Sequence, residues 1–390
     1  MKKLGVRRRA EYIFIVAACA VFFYVLTPSL FSNMYVADVS VTASSSPAKK
    51  VFVATHVATP FAVKALYMTA CVARTPSFRE KIVRFVEDTE INSLVIDVKD
   101  YSGSISFATQ DLVFVDAEKK ECFASDMREF IESLHKKGIY VIGRVTVFQD
   151  PIFAKVRPDL AIQKKSDKSV WKDYKGLSFI DVGAREYWDY IISLSKHSYL
   201  AGFDEINFDY IRFPSDGNMI DIYFPWSEER VVADPLLGKA DVLREFFSYL
   251  YNALHPQGIA MSADLFGMTT TNTDDLNIGQ VLERAIAHFD YVAPMVYPSH
   301  YPKTFNGHPD PNKYPYEVVK YSLDKAVARM NAASKSPAKI RPWLQDFDYG
   351  GNYGETEVRA QIQATYDAGL TSWMLWDPAN KYTPEALNHE

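Results

Sequence analysis

The sequence predicts an α/β fold, a (β/α)8 barrel behind one N-terminal hydrophobic helix. Three observations carry the prediction. Eight short apolar stretches alternate with amphipathic helical patterns over about 330 residues. Polar and aromatic side chains gather at the C-terminal end of at least seven of those stretches, where a barrel carries its chemistry. No GxGxxG or Walker loop follows any strand, which argues against the alternative of a nucleotide-binding doubly wound sheet.

The chain opens with a basic region, residues 1–11, containing Lys2, Lys3, Arg7, Arg8 and Arg9. An apolar run follows from Tyr12 to Leu26 and extends loosely to Phe31. Two readings compete for residues 12–31: a cleaved signal peptide and an uncleaved signal-anchor. A spanning helix takes roughly 17–25 residues, and no small-x-small cleavage site stands out after the run. The expectation is a single-pass anchor, with the basic cluster in the cytoplasm and the rest on the extracytoplasmic side of the cell membrane. Secretion after cleavage is the alternative. Residues 32–61, with Ser44-Ser45-Ser46-Pro47, read as a flexible tether, and 62–390 as the barrel.

The strand candidates are Val63–Ala70, Ser93–Lys99, Tyr140–Phe148, Asp204–Arg212, Ile259–Leu265, Tyr291–Tyr297, Ile340–Phe347 and Thr371–Trp376. Helical periodicity falls between them at Phe78–Asp88, Ser125–Lys137, Arg185–Leu200, Ala240–Leu254, Ile278–His288, Tyr316–Ala333 and Glu355–Ala368. Longer insertions lie at 100–124, 149–184 and 213–238.

Composition narrows the partners. The 390 residues carry a formal charge of -5, which speaks against a nucleic-acid partner. Cys19, Cys71 and Cys122 allow at most one intrachain disulfide outside the apolar run and form no CxxC knuckle. Aromatics make up 14% of residues, enough for a large core and for stacking sugars. The spacing predicts no metal site and no cofactor. His300 sits in a Pro-Ser-His-Tyr loop as a substrate contact or a loop-ordering residue, and its neighbour His308 is not on a helix face.

The fourth strand holds the strongest signal. In Asp204–Arg212, Ile206, Phe208 and Tyr210 alternate with Glu205, Asn207 and Asp209. A buried parallel strand normally reads apolar throughout. A polar face on such a strand is explained if it points into the barrel and ends on a reacting carboxylate. Other strands end similarly: Asp97 and Lys99 on the second, Arg144 on the third, Asp264 on the fifth and Tyr297 and His300 on the sixth. Trp343, Gln345 and Asp346 close the seventh, and Trp376 and Asp377 the eighth.

Carboxylates, an arginine, a glutamine and aromatics without metal-ligand spacing point to carbohydrate chemistry. Glycoside hydrolysis needs one ionised carboxylate and one protonated acid. Asp209 is the first choice for the carboxylate, with Arg212 as a cation that could hold it ionised. Asp264 leads for the acid, followed by Asp377, Asp346 and Asp97. Asp97, Lys99, Arg144, Asn207, Arg212, Tyr297, His300, Trp343, Gln345, Asp346, Trp376 and Asp377 form the expected substrate-binding set. Lys164, Lys165, Lys168, Lys172 and Lys175 read as a solvated loop, with contact to an anionic polymer as the alternative, and Trp171 as either its anchor or a stacking platform.

The run from Gly202 to Gly217, GFDEINFDYIRFPSDG, resembles the signature of a bacterial glycoside-hydrolase-like TIM-barrel family that often follows a signal or anchor segment. Val95–Asp100, Pro294–Tyr301, Arg341–Phe347 and Trp373–Asp377 match it as well, so the resemblance spans roughly 63–384. It implies the barrel fold and action on a glycan. More distantly, the Gly202-to-Asp209 spacing is similar to the fourth strand of α-amylase-like and α-galactosidase-like barrels. That likeness implies Asp209 as nucleophile and favours the fifth-strand Asp264 as acid. Asn207 stands where the amylase group has arginine, and Ile211 where chitinase-like barrels carry a catalytic glutamate.

Two functions follow as expectations. The first is an exported or membrane-tethered glycoside hydrolase acting on extracellular or cell-envelope polysaccharide. The second is a catalytically silent barrel that binds glycan and serves as an envelope scaffold. A metal-dependent deacetylase lacks its ligand spacing. Oligomeric state, sugar and linkage are not encoded in any visible pattern.

Overall fold

The computed structural model describes residues 52–118 and 121–389. The expected basic region and anchor, residues 1–31, and the tether up to residue 51 lie outside the described residues. Among the described residues, no helix is long and apolar enough to cross a membrane.

Among the described residues, ten strands occur in chain order: β1 (Lys64–Met68), β2 (Ser93–Lys99), β3 (Tyr140–Thr146), β4 (Gln163–Lys164), β5 (Glu205–Asp209), β6 (Ile222–Tyr223), β7 (Ala260–Phe266), β8 (Tyr291–Met295), β9 (Trp343–Gln345) and β10 (Trp373–Trp376). Eight of them close a barrel in the order β1-β2-β3-β5-β7-β8-β9-β10, with β10 returning to β1. Every barrel pairing is parallel. Closure excludes the open-sheet alternative, and all eight expected strands are present. Helices at Pro76–Glu87, Met127–His135, Arg185–Ala201, Gly238–Leu254, Pro315–Ala332 and Glu355–Asp367 coincide with six of the seven periodic stretches, and the stretch Ile278–His288 is α-helical only over Leu282–Ile286. The 17-residue helix Arg185–Ala201 ends at Gly202, whose φ of 115° suits a residue without Cβ.

The two faces of each strand feed two cores. Ile206 and Phe208 join the large cluster between barrel and helices. Ala65, Tyr67, Val95, Ile142, Ala293 and Trp343 join the smaller cluster inside the barrel. A charged layer lies on this interior. Glu205 Oε2 accepts from Arg341 Nη1 at 2.7 Å and from the Tyr140 hydroxyl at 3.0 Å, with Arg341 stacked on Tyr291. Both charged side chains are at most 2% exposed.

Two insertions meet over the barrel mouth. Segment 149–184 and segment 213–238 are joined by the antiparallel pair β4–β6. Trp171 is the anchor of this layer: it is buried, and its Nε1 donates to Asn218 O at 3.0 Å. Gly217, with φ 115°, leaves room for the indole, because a Cβ there would meet Trp171 at 2.4 Å. At the other end, Val53 to Phe61 has no regular secondary structure yet is pinned to the barrel. Val57 N donates to Asp204 Oδ1 at 2.8 Å, and Thr59 Oγ1 to the Tyr140 hydroxyl at 3.0 Å. Cys71 and Cys122, 51 residues apart, form a disulfide.

Two stability outcomes follow. Arg341→Met strands the Glu205 carboxylate and should cost about 3–5 kcal/mol in urea unfolding, while adding Glu205→Leu should recover most of it. Replacing Cys71 and Cys122 by serine opens a 51-residue loop and should cost about 2–4 kcal/mol in the same assay.

Candidate active site

The alternation of β5 sends Glu205, Asn207 and Asp209 inwards. Register then decides their neighbours. Arg144 pairs with both Asp97 on β2 and Asn207 on β5, and Asn207 pairs with Ser262 on β7. Asp97, Arg144, Asn207 and Ser262 therefore share one layer, with Asp209 and Asp264 each two residues further towards the strand C-termini. That end of the barrel is the open one.

Arg144 is the hub. Its Nη1 donates to Asp97 Oδ1 at 2.7 Å, and its Nε and Nη2 both reach Asp209 Oδ2, Nε at 3.1 Å. Its guanidinium lies 5.0 Å from the Trp376 ring centroid and 5.6 Å from that of Tyr67, and those two rings stack on each other at 3.8 Å. Tyr67 donates to Asp97 Oδ2 at 2.6 Å. Burial opposes the charge on Arg144, but Asp209 and Asp97 outweigh it and hold its pKa well above the usual arginine value. Burial pushes the Asp97 carboxyl up, against the pull of Arg144 and Tyr67.

Asp209 also accepts the Tyr210 backbone N–H on Oδ1 at 2.6 Å. Both its oxygens are thus engaged by donors, as suits an acceptor-only carboxylate. Tyr210 has left the strand. Its φ is 51°, in the left-handed region, which costs a non-glycine residue about 1 kcal/mol or more. The alternation places Tyr210 on the helix side beside Phe208, and it does pack partly against the cluster there; the turn brings its ring to the cleft as well.

Asp264 has the opposite environment. It is 1% exposed, and its Oδ1 accepts from Asn207 Nδ2 and Trp343 Nε1, each at 2.8 Å. Burial first, and the Asp209 charge second, raise its pKa well above the carboxylate range; Asn207, Arg144 and Trp343 only partly offset this. The two aspartates line the same cleft, and their hydrogen-bond partners differ: a guanidinium and a backbone N–H on Asp209, two neutral side-chain donors on Asp264.

The cleft has two connected lobes, of about 360 and 540 Å³. Asp209 and Asp264 line the smaller with Tyr297, His300, Trp343 and Phe266. Tyr67, Tyr101, Gln149 and Phe179 line the larger. Arg144, Lys175, Tyr210, Arg212 and Trp376 line both. Burial lowers the His300 pKa, leaving a neutral imidazole against Tyr297 and Phe347. Among the described residues, no group of three or more His, Cys, Asp or Glu is arranged to hold a metal ion.

Of the expected substrate-binding set, Arg144, Arg212, Tyr297, His300, Trp343 and Trp376 line the cleft. Six others do not. Asp97 stands behind Arg144, and Asn207 behind Asp264. Gln345 accepts from Ser299 N and Oγ and donates to Phe347 O. Asp377 caps the turn to Asn380. Asp346 accepts from Thr383 N and Oγ1; burial pushes its carboxyl to about 7, but it faces no cleft. Lys99 is fully buried on Asp150 at 2.9 Å and Thr146 O at 2.6 Å. The β2–β3 register shifts between Asp97 and Lys99, and this irregularity turns the lysine off the inward face.

The cation on Asp209 is Arg144, not Arg212. Arg144 rises from a paired strand inside the barrel, whereas Arg212 follows the Tyr210 turn and no longer obeys the strand's alternation. Tyr67, Tyr210 and Phe266 are cleft residues that sequence reasoning missed, and Lys175 is the one lysine of the basic loop cluster that lines both lobes. Of the three, Tyr67 carried a signal, through its alternation with Leu66 and Met68.

Residues 65–382 match the family described as "Putative glycosyl hydrolase domain". The chain belongs to this glycosyl hydrolase family. A search of curated proteins finds no match. Among solved structures, the glycoside hydrolase domain of PgaB (BpsB) from Bordetella bronchiseptica is 14% identical, with a TM-score of 0.60, covering 82% of this chain and 94% of its own. An exo-β-N-acetylglucosaminidase from Vibrio harveyi is 9% identical, with a TM-score of 0.51, covering 81% and 50%. A hypothetical protein from Ruminiclostridium thermocellum is 29% identical over 51% of this chain and 96% of its own, with a TM-score of 0.44. At these identities the first two likenesses are likenesses of fold. They agree with the closed barrel of this glycosyl hydrolase domain.

Asn207→Ala removes a donor that favours the ionised form of Asp264. The carbon-13 NMR titration of the Asp264 carboxyl should therefore move to higher pH in that variant.

Proposed function

We propose that the chain hydrolyses a glycosidic bond within a polysaccharide, with Asp264 as general acid and Asp209 as nucleophile or base. The observation that carries this reading is the contrast between the two carboxyls. Asp209 is held by Arg144 and the Tyr210 N–H, while Asp264 is buried and pushed up in pKa. Both donors to Asp264 occupy Oδ1, so Oδ2 is the oxygen that carries the proton.

The steps follow from that placement. A sugar ring stacks on Trp376 or Tyr297. Asp264 Oδ2 gives its proton to the glycosidic oxygen as the bond to the anomeric carbon breaks, and the leaving sugar departs as an alcohol. Positive charge grows on the ring, and Asp209 meets it, either bonding to the anomeric carbon or taking a proton from the attacking water. Arg144 keeps Asp209 in place through two donors and is itself fixed by Asp97 and the Trp376–Tyr67 stack. Two connected lobes offer room for several sugars on both sides of the reacting pair, which fits a chain cut internally.

The place of action is also a proposal. Five basic residues before an apolar run support export with the barrel outside the cytoplasm, anchored by residues 12–31 or released by cleavage. The Cys71–Cys122 disulfide supports an oxidising compartment.

A glycan hydrolysis screen tests the chemistry. Wild-type chain should release new reducing ends from at least one polysaccharide. Asp264→Asn should lower kcat by about 10²–10⁴. A substrate with a good aryl leaving group, which needs no acid, should regain much of its rate with Asp264→Asn but not with Asp209→Asn. The pH profile of kcat/KM should keep its alkaline limb well above the ordinary carboxyl range, since activity persists only below the Asp264 pKa. Turnover unchanged by Asp209→Asn would remove the reading, and tight glycan binding without turnover would favour the scaffold.

A further inference from the structure

Arg212 has no part in the reaction just described, yet it occupies the middle of the cleft. It is 8% exposed, and its guanidinium sits between the rings of Tyr210 and Phe266, 4.9 and 4.8 Å from their centroids. Nη1 donates to Phe213 O at 3.1 Å and to Ser215 Oγ at 3.2 Å. Nε and Nη2 take no acceptor among the described residues. They form one edge of the guanidinium fork, the edge that Arg144 uses on Asp209.

The contrast with Arg144 is informative. Both arginines are buried at the cleft, but Arg144 is saturated by two carboxylates and Arg212 by none. Asp209, Asp216 and Asp173 act on Arg212 through space. None of them forms an ion pair with it. A buried guanidinium without a counter-ion is costly, and one held by two rings, a backbone carbonyl and a serine hydroxyl is preorganised for an incoming anion. Lys175 lines both lobes beside it and likewise makes no ion pair among the described residues.

We propose that Arg212, assisted by Lys175, is a specificity-determining subsite for the carboxylate of an acidic sugar next to the scissile bond. The proposal rests on the hydrolase reading and narrows its substrate to a carboxylated polysaccharide. A planar carboxylate matches the free Nε/Nη2 edge with two parallel hydrogen bonds. The flanking Tyr210 and Phe266 rings exclude water from that contact and leave the sugar ring facing Trp376.

The test measures binding apart from cleavage. Full chain carrying Asp264→Asn, which removes the acid without adding charge, is titrated with uronic-acid oligosaccharides, their methyl esters, and sulfated and neutral oligosaccharides. A carboxylated oligosaccharide should bind about tenfold or more tightly than its own methyl ester. The advantage should shrink with salt and disappear with Arg212→Gln, and Arg212→Lys should retain part of it. Esters binding as well as acids would overturn the proposal. So would a preference for sulfated or neutral sugars, a preference that survives Arg212→Gln, or no binding of any uronate member. Should Arg212→Gln fail to fold by circular dichroism, the acid–ester comparison on the unsubstituted Arg212 decides. Failure of the hydrolase reading looks different: carboxylate-selective binding with no turnover by the wild-type chain.

Discussion

The site depends on one buried guanidinium. Arg144 joins Asp97 to Asp209 across two strands, and the stacked Tyr67 and Trp376 rings close over it. A lone charge in a barrel interior would be expelled or neutralised. Here each charge is the other's solvent. The arrangement holds Asp209 as an acceptor at the barrel mouth without water doing that work.

The same economy explains Asp264. It lies one strand over, near the same charges, but its donors are the neutral Asn207 and Trp343. Neutral donors compensate burial less than a guanidinium does. The charge of Asp209 disfavours a second negative charge on Asp264. Thus Arg144 on one side and Asn207 and Trp343 on the other give two chemically identical groups different electrostatic surroundings. Asp346 shows that a raised pKa alone does not mark a site: burial lifts it to about 7, but Thr383 claims it and it lines neither lobe of the cleft.

The loops add what the strands cannot. Segments 149–184 and 213–238 are tied by β4–β6 and by Trp171 wedged over Gly217. They carry Lys175 and frame Arg212, extending the cleft from a pit in the barrel to a two-lobed groove. The positive φ at Tyr210 is where strand gives way to loop. It places an aromatic ring and then a cation over the mouth, directly after Asp209.

Much of this was legible in the residues. Short apolar runs mark all eight strands, and period-2 alternation on the fourth states which of its side chains face inwards, because successive Cβ atoms must point to opposite faces of a strand. Asp209 and Asp264 as cleft residues follow from that rule and from where each strand ends. The rule fails where the backbone departs from regular pairing. A register shift in β2 removes Lys99 from the interior, and the turn at Tyr210 takes Arg212 out of the alternation. Pairing between strands is equally invisible in one dimension, so the choice of Arg144 over Arg212 as the partner of Asp209 waited for the closed barrel. The sequence alone determined the strands, their inward faces and the carboxylates they carry. The tertiary structure decided which cation meets which carboxylate, since that depends on register and on distance across the barrel.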